Sequence, residues 1–348
     1  MDTSQIDKNF KIENTETERF SFYNYSELTV EGFPFMKENG NLNRLPDTLI
    51  NQLPEPLMKI SRISTGGVVR FRTDSRRIAV RCKNKDVYYS AIRAIAAGLG
   101  FDLYSGKRFV SNYRPNTGEE YTNMDAETLG DGTHDYSLYM PIYSGIEELE
   151  IGILKGCRME KPSPHRLSGP IIFYGSSVTH GSCASRPGRT YPAIVTRTLD
   201  AHMINMGFSG NALGETEIAE LIGKMKASAI VLEYDHNAQT VEYLEKTHGR
   251  FFEIIRQYHP KTPIVMMSRP HFNAEWEEDA ALRRNVVRET YLKALKSGDK
   301  AVRFIDGMNI FPAETAADCS IDLIHPNDVG FDMMARKVLR ELESISER

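Results

Sequence analysis

Two short segments in the second half of the chain carry residue types suited to acyl transfer. In FYGSSVTHG (173–181) an apolar run leads straight into Gly-Ser-Ser. A serine on such a turn can present its hydroxyl at the edge of a buried strand, with Gly175 permitting the tight backbone path. In CSIDLIHPND (319–328), Asp322 and His325 stand three residues apart, just before an amphipathic C-terminal stretch. In a turn, that spacing puts both side chains on one side of the chain. The carboxylate can then hold one imidazole nitrogen and leave the other for a hydroxyl, the orienting logic of an activated serine. Neither segment is decisive alone, because Gly-Ser-Ser is most often just a turn and Asp-x-x-His is common.

Two further segments belong with them. INMGFSGN (204–211) offers a glycine whose backbone N–H can approach a ligand with no side chain in the way, although a flexible loop explains it equally well. VLEYDHNA (231–238) offers Asn237, whose side-chain N–H can donate to a developing oxyanion. Asp235 and His236 beside it read as supporting or surface residues rather than as the acid and base. The loop SCASRPGRTY (182–191) contains Arg186 and Arg189, which can recognise a hydroxyl or carboxylate; an ordinary solvated loop is the plainer reading.

The elements that must position these residues differ between the halves. From about residue 20 to 155, apolar residues come in short runs separated by turn residues. GGVVRFRTDSRRIAVRC (66–82) reads as a hairpin of two alternating strands about a Thr-Asp-Ser turn. RFSFYNYSEL, DVYYSAIRAI (86–95) and the run ending at Leu154 also read as strands, so a β-sandwich is expected. KGCRMEKPSPHRLSGP (155–170), with three prolines and mixed charge, reads as an inter-domain linker. Beyond it, IIFY, HMINM, AIVLEY, PIVMMS and VRFI are continuous apolar strands separated by amphipathic helices. That alternation predicts a parallel sheet covered on both faces, with its site at the carboxyl ends of the strands. The expected division is a flexible N-terminus over 1–20, a β-sandwich accessory domain over 21–160 and an α/β domain over 161–348.

In this order, the four segments together resemble the SGNH (GDSL-like) hydrolases over roughly residues 170–345. The resemblance implies a flavodoxin-like, five-stranded parallel sheet and a serine esterase. Residue by residue it makes Ser177 the nucleophile, His325 the base and Asp322 its orienting carboxylate. Gly210 and Asn237, with the Ser177 N–H, become the oxyanion donors. No metal or organic cofactor is implied. Two positions depart from the family pattern: Ser176 stands where the family name has Asp, and Asp235-His236-Asn237-Ala238 keeps only the asparagine of Gly-x-Asn-Asp. GFDLY (100–104) resembles the G-x-D-L-Y motif of a jelly-roll-like β-domain that precedes one subgroup of these hydrolases. Phe101, Leu103 and Tyr104 can equally well be packing a strand.

Composition narrows the partners. The chain of 348 residues is 41% hydrophobic and 26% charged, with a formal net charge of −4, so it lacks the basic surplus of a nucleic-acid-binding protein. The polar, acidic start has no apolar core of a signal peptide, and no run is long enough to span a bilayer. Four scattered cysteines are ordinary for a cytoplasmic protein, the expected location. The expected substrate is a small-molecule or oligosaccharide ester, first an O-acetyl sugar. A lipid or thioester acyl hydrolase and a catalytically impaired carbohydrate-binding protein stand as alternatives, and homo-oligomerisation stays open.

Overall fold

The two periodicities correspond to two kinds of sheet in a computed structural model that describes residues 17–50, 52–115, 122–272 and 278–346. Most of the N-terminal stretch expected to be flexible, up to residue 16, lies outside the described residues.

In the N-terminal half two antiparallel sheets face each other. One runs in the order Phe20–Asn24, Gly145–Leu154, Arg77–Lys85, Thr122–Glu127. The other runs Met159–Glu160, Val68–Thr73, His134–Tyr139, Phe101–Ser105, Arg108–Tyr113, with Thr29–Glu31 also on Val68–Thr73. Phe71, Ile78, Val80, Leu103, Leu138 and Ile151 fill the space between them. Alternation along each strand turns one apolar face inward, as a sandwich requires.

Two expectations for this half are corrected. The strands within 66–82 exist, as Val68–Thr73 and Arg77–Lys85, but they do not pair with each other; each enters a different sheet. The Thr-Asp-Ser turn is therefore an arch across the end of the sandwich. Ser75, buried at its bend, accepts the Leu154 N–H at 3.0 Å, and its carbonyl accepts the Thr128 hydroxyl at 2.9 Å. Alternation specifies which face is apolar and says nothing about the hydrogen-bonding partner. The second correction is 86–95, which is irregular chain leading into the short helix Ile95–Gly98. Tyr89 and Ile95 stay exposed there, so no buried face holds the segment in a sheet.

In the C-terminal half the five expected strands form one parallel sheet in the order Met203–Gly207, Ile171–Gly175, Ala229–Glu233, Ile264–Met267, Val302–Ile305. This is the flavodoxin-like order, and its switch point is the strand Ile171–Gly175, flanked by partners on both sides. The first three strands in that order are buried along their whole length. Helices Thr216–Lys224, Val241–Tyr258 and Glu278–Lys296 pack in succession, and Tyr191–Leu199 packs on Asp328–Ser346.

The segment expected to be a linker is pinned at both ends of its path. Met159–Glu160 pairs with Arg72 and Thr73, and the His165 ring lies between Asp200 (2.8 Å from Nδ1) and Glu31 (2.9 Å from Nε2). The apolar core also crosses between the halves: Val68, Tyr104, Tyr139, Ile142 and Tyr143 pack in the same cluster as the parallel sheet. Among the described residues no helix is long and apolar enough to cross a membrane.

Candidate active site

Ser177 begins a one-turn helix, Ser177–His180, at the carboxyl end of the switch-point strand. Ser176 caps that helix, its hydroxyl accepting the Val178 N–H at 3.0 Å. Gly175 is needed for space: a Cβ there would lie 2.2 Å from Thr179 Oγ1 and 2.3 Å from the Glu233 carbonyl.

The Asp322–His325 segment lies against this turn. Leu323 takes a left-handed backbone (φ +62), which folds the segment so tightly that Asp322 Oδ1 accepts the N–H groups of Ile324 (3.0 Å) and His325 (2.7 Å). Asp322 Oδ2 stands 2.8 Å from His325 Nδ1, and His325 Nε2 stands 2.9 Å from Ser177 Oγ. Partial burial would raise the Asp322 carboxyl, but its hydrogen bonds from the His325 ring and from the two backbone N–H groups hold it below the ordinary carboxylate value. With the Nδ1 proton donated to this anion, Nε2 turns a lone pair toward the serine hydroxyl.

Two other expected residues lie on the chain leaving the strands that flank Ile171–Gly175. Gly210 (φ +71) lies in the turn after Met203–Gly207, with open space where a side chain would be. Asn237 ends the one-turn segment after Ala229–Glu233, and its side-chain Nδ2 is buried without a hydrogen-bond partner. A buried donor left without an acceptor calls for one that the chain itself does not supply. Arg186 points elsewhere. Its Nη1 donates to Asp102 Oδ2 (2.8 Å) and to the Tyr104 hydroxyl (2.8 Å), both from GFDLY.

Loop 182–191 is accordingly not a solvated loop. Ala184, Pro187 and Gly188 are buried, with Asp102 accepting the Gly188 N–H at 2.9 Å and Asp328 accepting the Ser185 N–H at 2.9 Å. GFDLY divides its work: Phe101 and Leu103 fill the sandwich core, while Asp102 and Tyr104 tie the sandwich to this loop. The polar Asp inside an apolar strand was the available signal, since a buried carboxylate demands donors.

Two residues at the site had no clear signal in the sequence. Glu233 is fully buried beneath the nucleophile turn and accepts from Ser176 Oγ (2.9 Å) and Thr179 Oγ1 (2.8 Å); burial raises its carboxyl above the ordinary value. Tyr143, from the sandwich, places its hydroxyl against those of Ser182 and Ser209. Among the described residues one group has metal-ligand proximity: Glu233, Asp235 and His236, with ligand atoms within 4.8 Å of one another. Its carboxylates are already engaged, Glu233 as above and Asp235 with the N–H groups of His236 and Arg269, both at 3.0 Å. The two carboxylates are thus hydrogen-bonded supports for the turn, while both His236 ring nitrogens are buried without a hydrogen-bond partner.

Residues 168–343 match the model of the GDSL-like lipase/acylhydrolase family. The chain belongs to that family. Residues 20–159 match a second model, GxDLY, the N-terminus of SGNH-hydrolase-type esterases. This GDSL-like hydrolase is thus a carboxylic ester hydrolase by family. No curated protein sequence matches it. Among solved structures it is similar to a Bacteroides ovatus protein assigned as a GDSL-like lipase, at 26% identity and TM-score 0.84, covering 94% of this chain and 98% of that one. It is also similar to the salicylyl-acyltransferase SsfX3 from a tetracycline biosynthetic pathway (22%, TM-score 0.80, 95% and 99% covered). A family two carbohydrate esterase of Clostridium thermocellum in complex with cellohexaose shares the fold at 16% identity and TM-score 0.60, with 80% and 92% covered.

Proposed function

We propose that this hydrolase is a serine esterase that removes small acyl groups, acetyl first, from carbohydrates. The observation that carries the reading is the linear series Ser177 Oγ–His325 Nε2 (2.9 Å) and His325 Nδ1–Asp322 Oδ2 (2.8 Å) at the switch point of the sheet. In this reading His325 Nε2 takes the proton of Ser177 as Oγ attacks the acyl carbon. The oxyanion is held by the Ser177 and Gly210 N–H groups and by Asn237 Nδ2. Collapse of the tetrahedral intermediate sends the His325 proton to the departing alcohol and leaves an acyl-enzyme. Water, deprotonated by His325, then releases the acid and restores Ser177. Asp322 holds the imidazole and balances its positive charge without taking the proton. Residues 21–160 act as the accessory domain and 161–348 as the catalytic one, with Arg186 tying the loop beside Ser177 to the sandwich.

Support for a sugar ester comes from the carbohydrate esterases that share the fold. One observation favours a longer acyl chain instead: Ile321, Leu323 and Ile324, in the loop that carries Asp322 and His325, are exposed. Turnover of p-nitrophenyl esters from acetate upward separates the two. Steep decline beyond acetate, with acetate released from acetylated oligosaccharides, supports the sugar reading. Rates that climb with chain length overturn it, and no turnover of any ester overturns the esterase reading.

A further inference from the structure

The sandwich brings a cation to the edge of this site. Arg93 lies in the irregular segment between Arg77–Lys85 and Phe101–Ser105, and its guanidinium carbon stands 3.5 Å from the centre of the Tyr143 ring. Tyr143 is buried, and its hydroxyl meets that of Ser182 and, at 2.5 Å, that of Ser209. Both serines border the nucleophile. The Ser182 N–H donates to the Ser177 carbonyl at 2.9 Å, and Ser209 immediately precedes Gly210.

Two other arginines that join the sandwich to the parallel-sheet half are engaged by hydrogen bonds. Arg44 donates to four backbone carbonyls and Arg186 to Asp102 and Tyr104. Arg93 is different: among the described residues no carboxylate pairs with it, and its Nε is buried without a hydrogen-bond partner. That Nε is sealed from solvent, so an anionic ligand meets the guanidinium at its Nη groups. A guanidinium stacked on a ring keeps its edge free, and that edge matches a carboxylate with two parallel N–H donors.

We propose that Arg93 binds a carboxylate of the substrate, so that the preferred esters are acylated acidic sugars of the hexuronate type. The proposal rests on the esterase reading and adds the charge of the substrate to it. A neutral acetyl sugar leaves the Arg93 guanidinium without an anion; an acidic one supplies it while the acyl carbon reaches Ser177.

The test compares matched substrates with the full-length protein. One pair is the O-acetylated methyl glucuronide and the equally acetylated methyl glucoside. The other is p-nitrophenyl hemisuccinate and p-nitrophenyl butyrate, which moves the carboxylate to the acyl side. The expected result is kcat/KM at least about tenfold higher for the acetylated glucuronide, the size of one charge-assisted contact. Most of that advantage should disappear in Arg93→Gln and part of it return in Arg93→Lys. It should also shrink with added salt, as a half-exposed ion pair does. Equal rates within both pairs, or an advantage that survives Arg93→Gln, overturn the proposal. An Arg93-dependent advantage seen only with the hemisuccinate overturns the acidic-sugar assignment. Absence of turnover on all four esters falls on the esterase reading itself.

Discussion

Ser176 and Ser177 are adjacent in the chain and turn their hydroxyls to opposite sides of the same bend. Ser177 Oγ faces His325 Nε2 at 2.9 Å, whereas Ser176 Oγ is buried and faces Glu233 Oε2 at 2.9 Å. The backbone explains the split: Ser176 is still extended, as the cap, and points at the neighbouring strand, whereas the helical turn begins only at Ser177. A buried glutamate from the neighbouring strand thus stands behind the position where the family name has Asp.

Ser177→Ala should therefore lower kcat on p-nitrophenyl acetate by roughly four to six orders of magnitude, the loss typical of removing a nucleophile. Ser176→Ala should cost far less activity and instead reduce stability by about 1–3 kcal/mol, through loss of a helix cap and of one donor to Glu233. Reaction with a serine-directed organophosphonate followed by peptide mass should place the adduct on Ser177. An adduct on Ser176, or equal loss of activity in the two folded variants, would contradict this assignment.

The Asp322–His325 pair predicts unequal effects. His325→Ala should be as damaging as loss of Ser177, since the hydroxyl is a poor nucleophile without its base. Asp322→Asn should be severe but milder, because the carboxylate orients the imidazole and does not accept the proton. His236→Ala should retain most activity: its ring nitrogen lies 3.5 Å from Glu233, on the support side of the turn. Steady-state kinetics on one soluble ester would rank all three, and an inactive His236→Ala beside an active His325→Ala would relocate the base.

Asn237 provides a separable test of the oxyanion arrangement. Its buried, unpartnered Nδ2 should find its acceptor when charge develops on the carbonyl oxygen. Asn237→Ala should then lower kcat by about 10²–10³-fold with a smaller change in KM. A variant that changed KM alone would mean that the amide binds substrate and transition state equally.

Asp102 should matter for stability more than for chemistry. It is fully buried and accepts from Arg186 and Gly188 of loop 182–191 as well as from Asn112. Asp102→Ala leaves the Arg186 guanidinium without its anion, a change that typically costs about 3–5 kcal/mol. Thermal unfolding should show the loss directly, and an unchanged Tm would mean that the loop is held by other contacts.

The His165 bridge predicts a pH-dependent contribution. Burial alone would lower the His165 value, but hydrogen bonds and charge from Glu31 and Asp200 raise it above 6.5. Burial likewise works against Glu31, yet the contacts with His165, His202 and Arg70 bring it below 4.5. A raised histidine contributes fully below its unfolded value and loses that contribution as pH rises through the folded one. A lowered carboxyl contributes above its unfolded value and is lost as pH falls through the folded one. The bridge is therefore fully present between about pH 4.5 and 6.5 and fades on either side, as pH falls through the lowered Glu31 value or rises through the raised His165 value. The Tm difference between wild type and His165→Ala should be largest near pH 5–6 and shrink toward pH 8, as that window requires. A difference independent of pH would show that His165 acts by packing alone.

Local pattern determined much of this protein. The change from short alternating runs to continuous apolar strands separated by amphipathic helices predicted a sandwich followed by a parallel sheet, and four of the five parallel strands are buried along their whole length, which is what made them legible. The segments holding Ser177, Gly210 and Asn237 were legible as chain leaving those strands. Only the tertiary structure decided which strands pair, and there the hairpin expected over 66–82 became an arch between sheets. Periodicity records the face that meets the core, whereas partner choice depends on residues far away in sequence. The same limit hid Glu233, Tyr143 and Arg93. Nothing within a few residues of Arg93 shows that it stacks on a tyrosine 50 positions later, because that contact exists only once distant strands of the sandwich have come together.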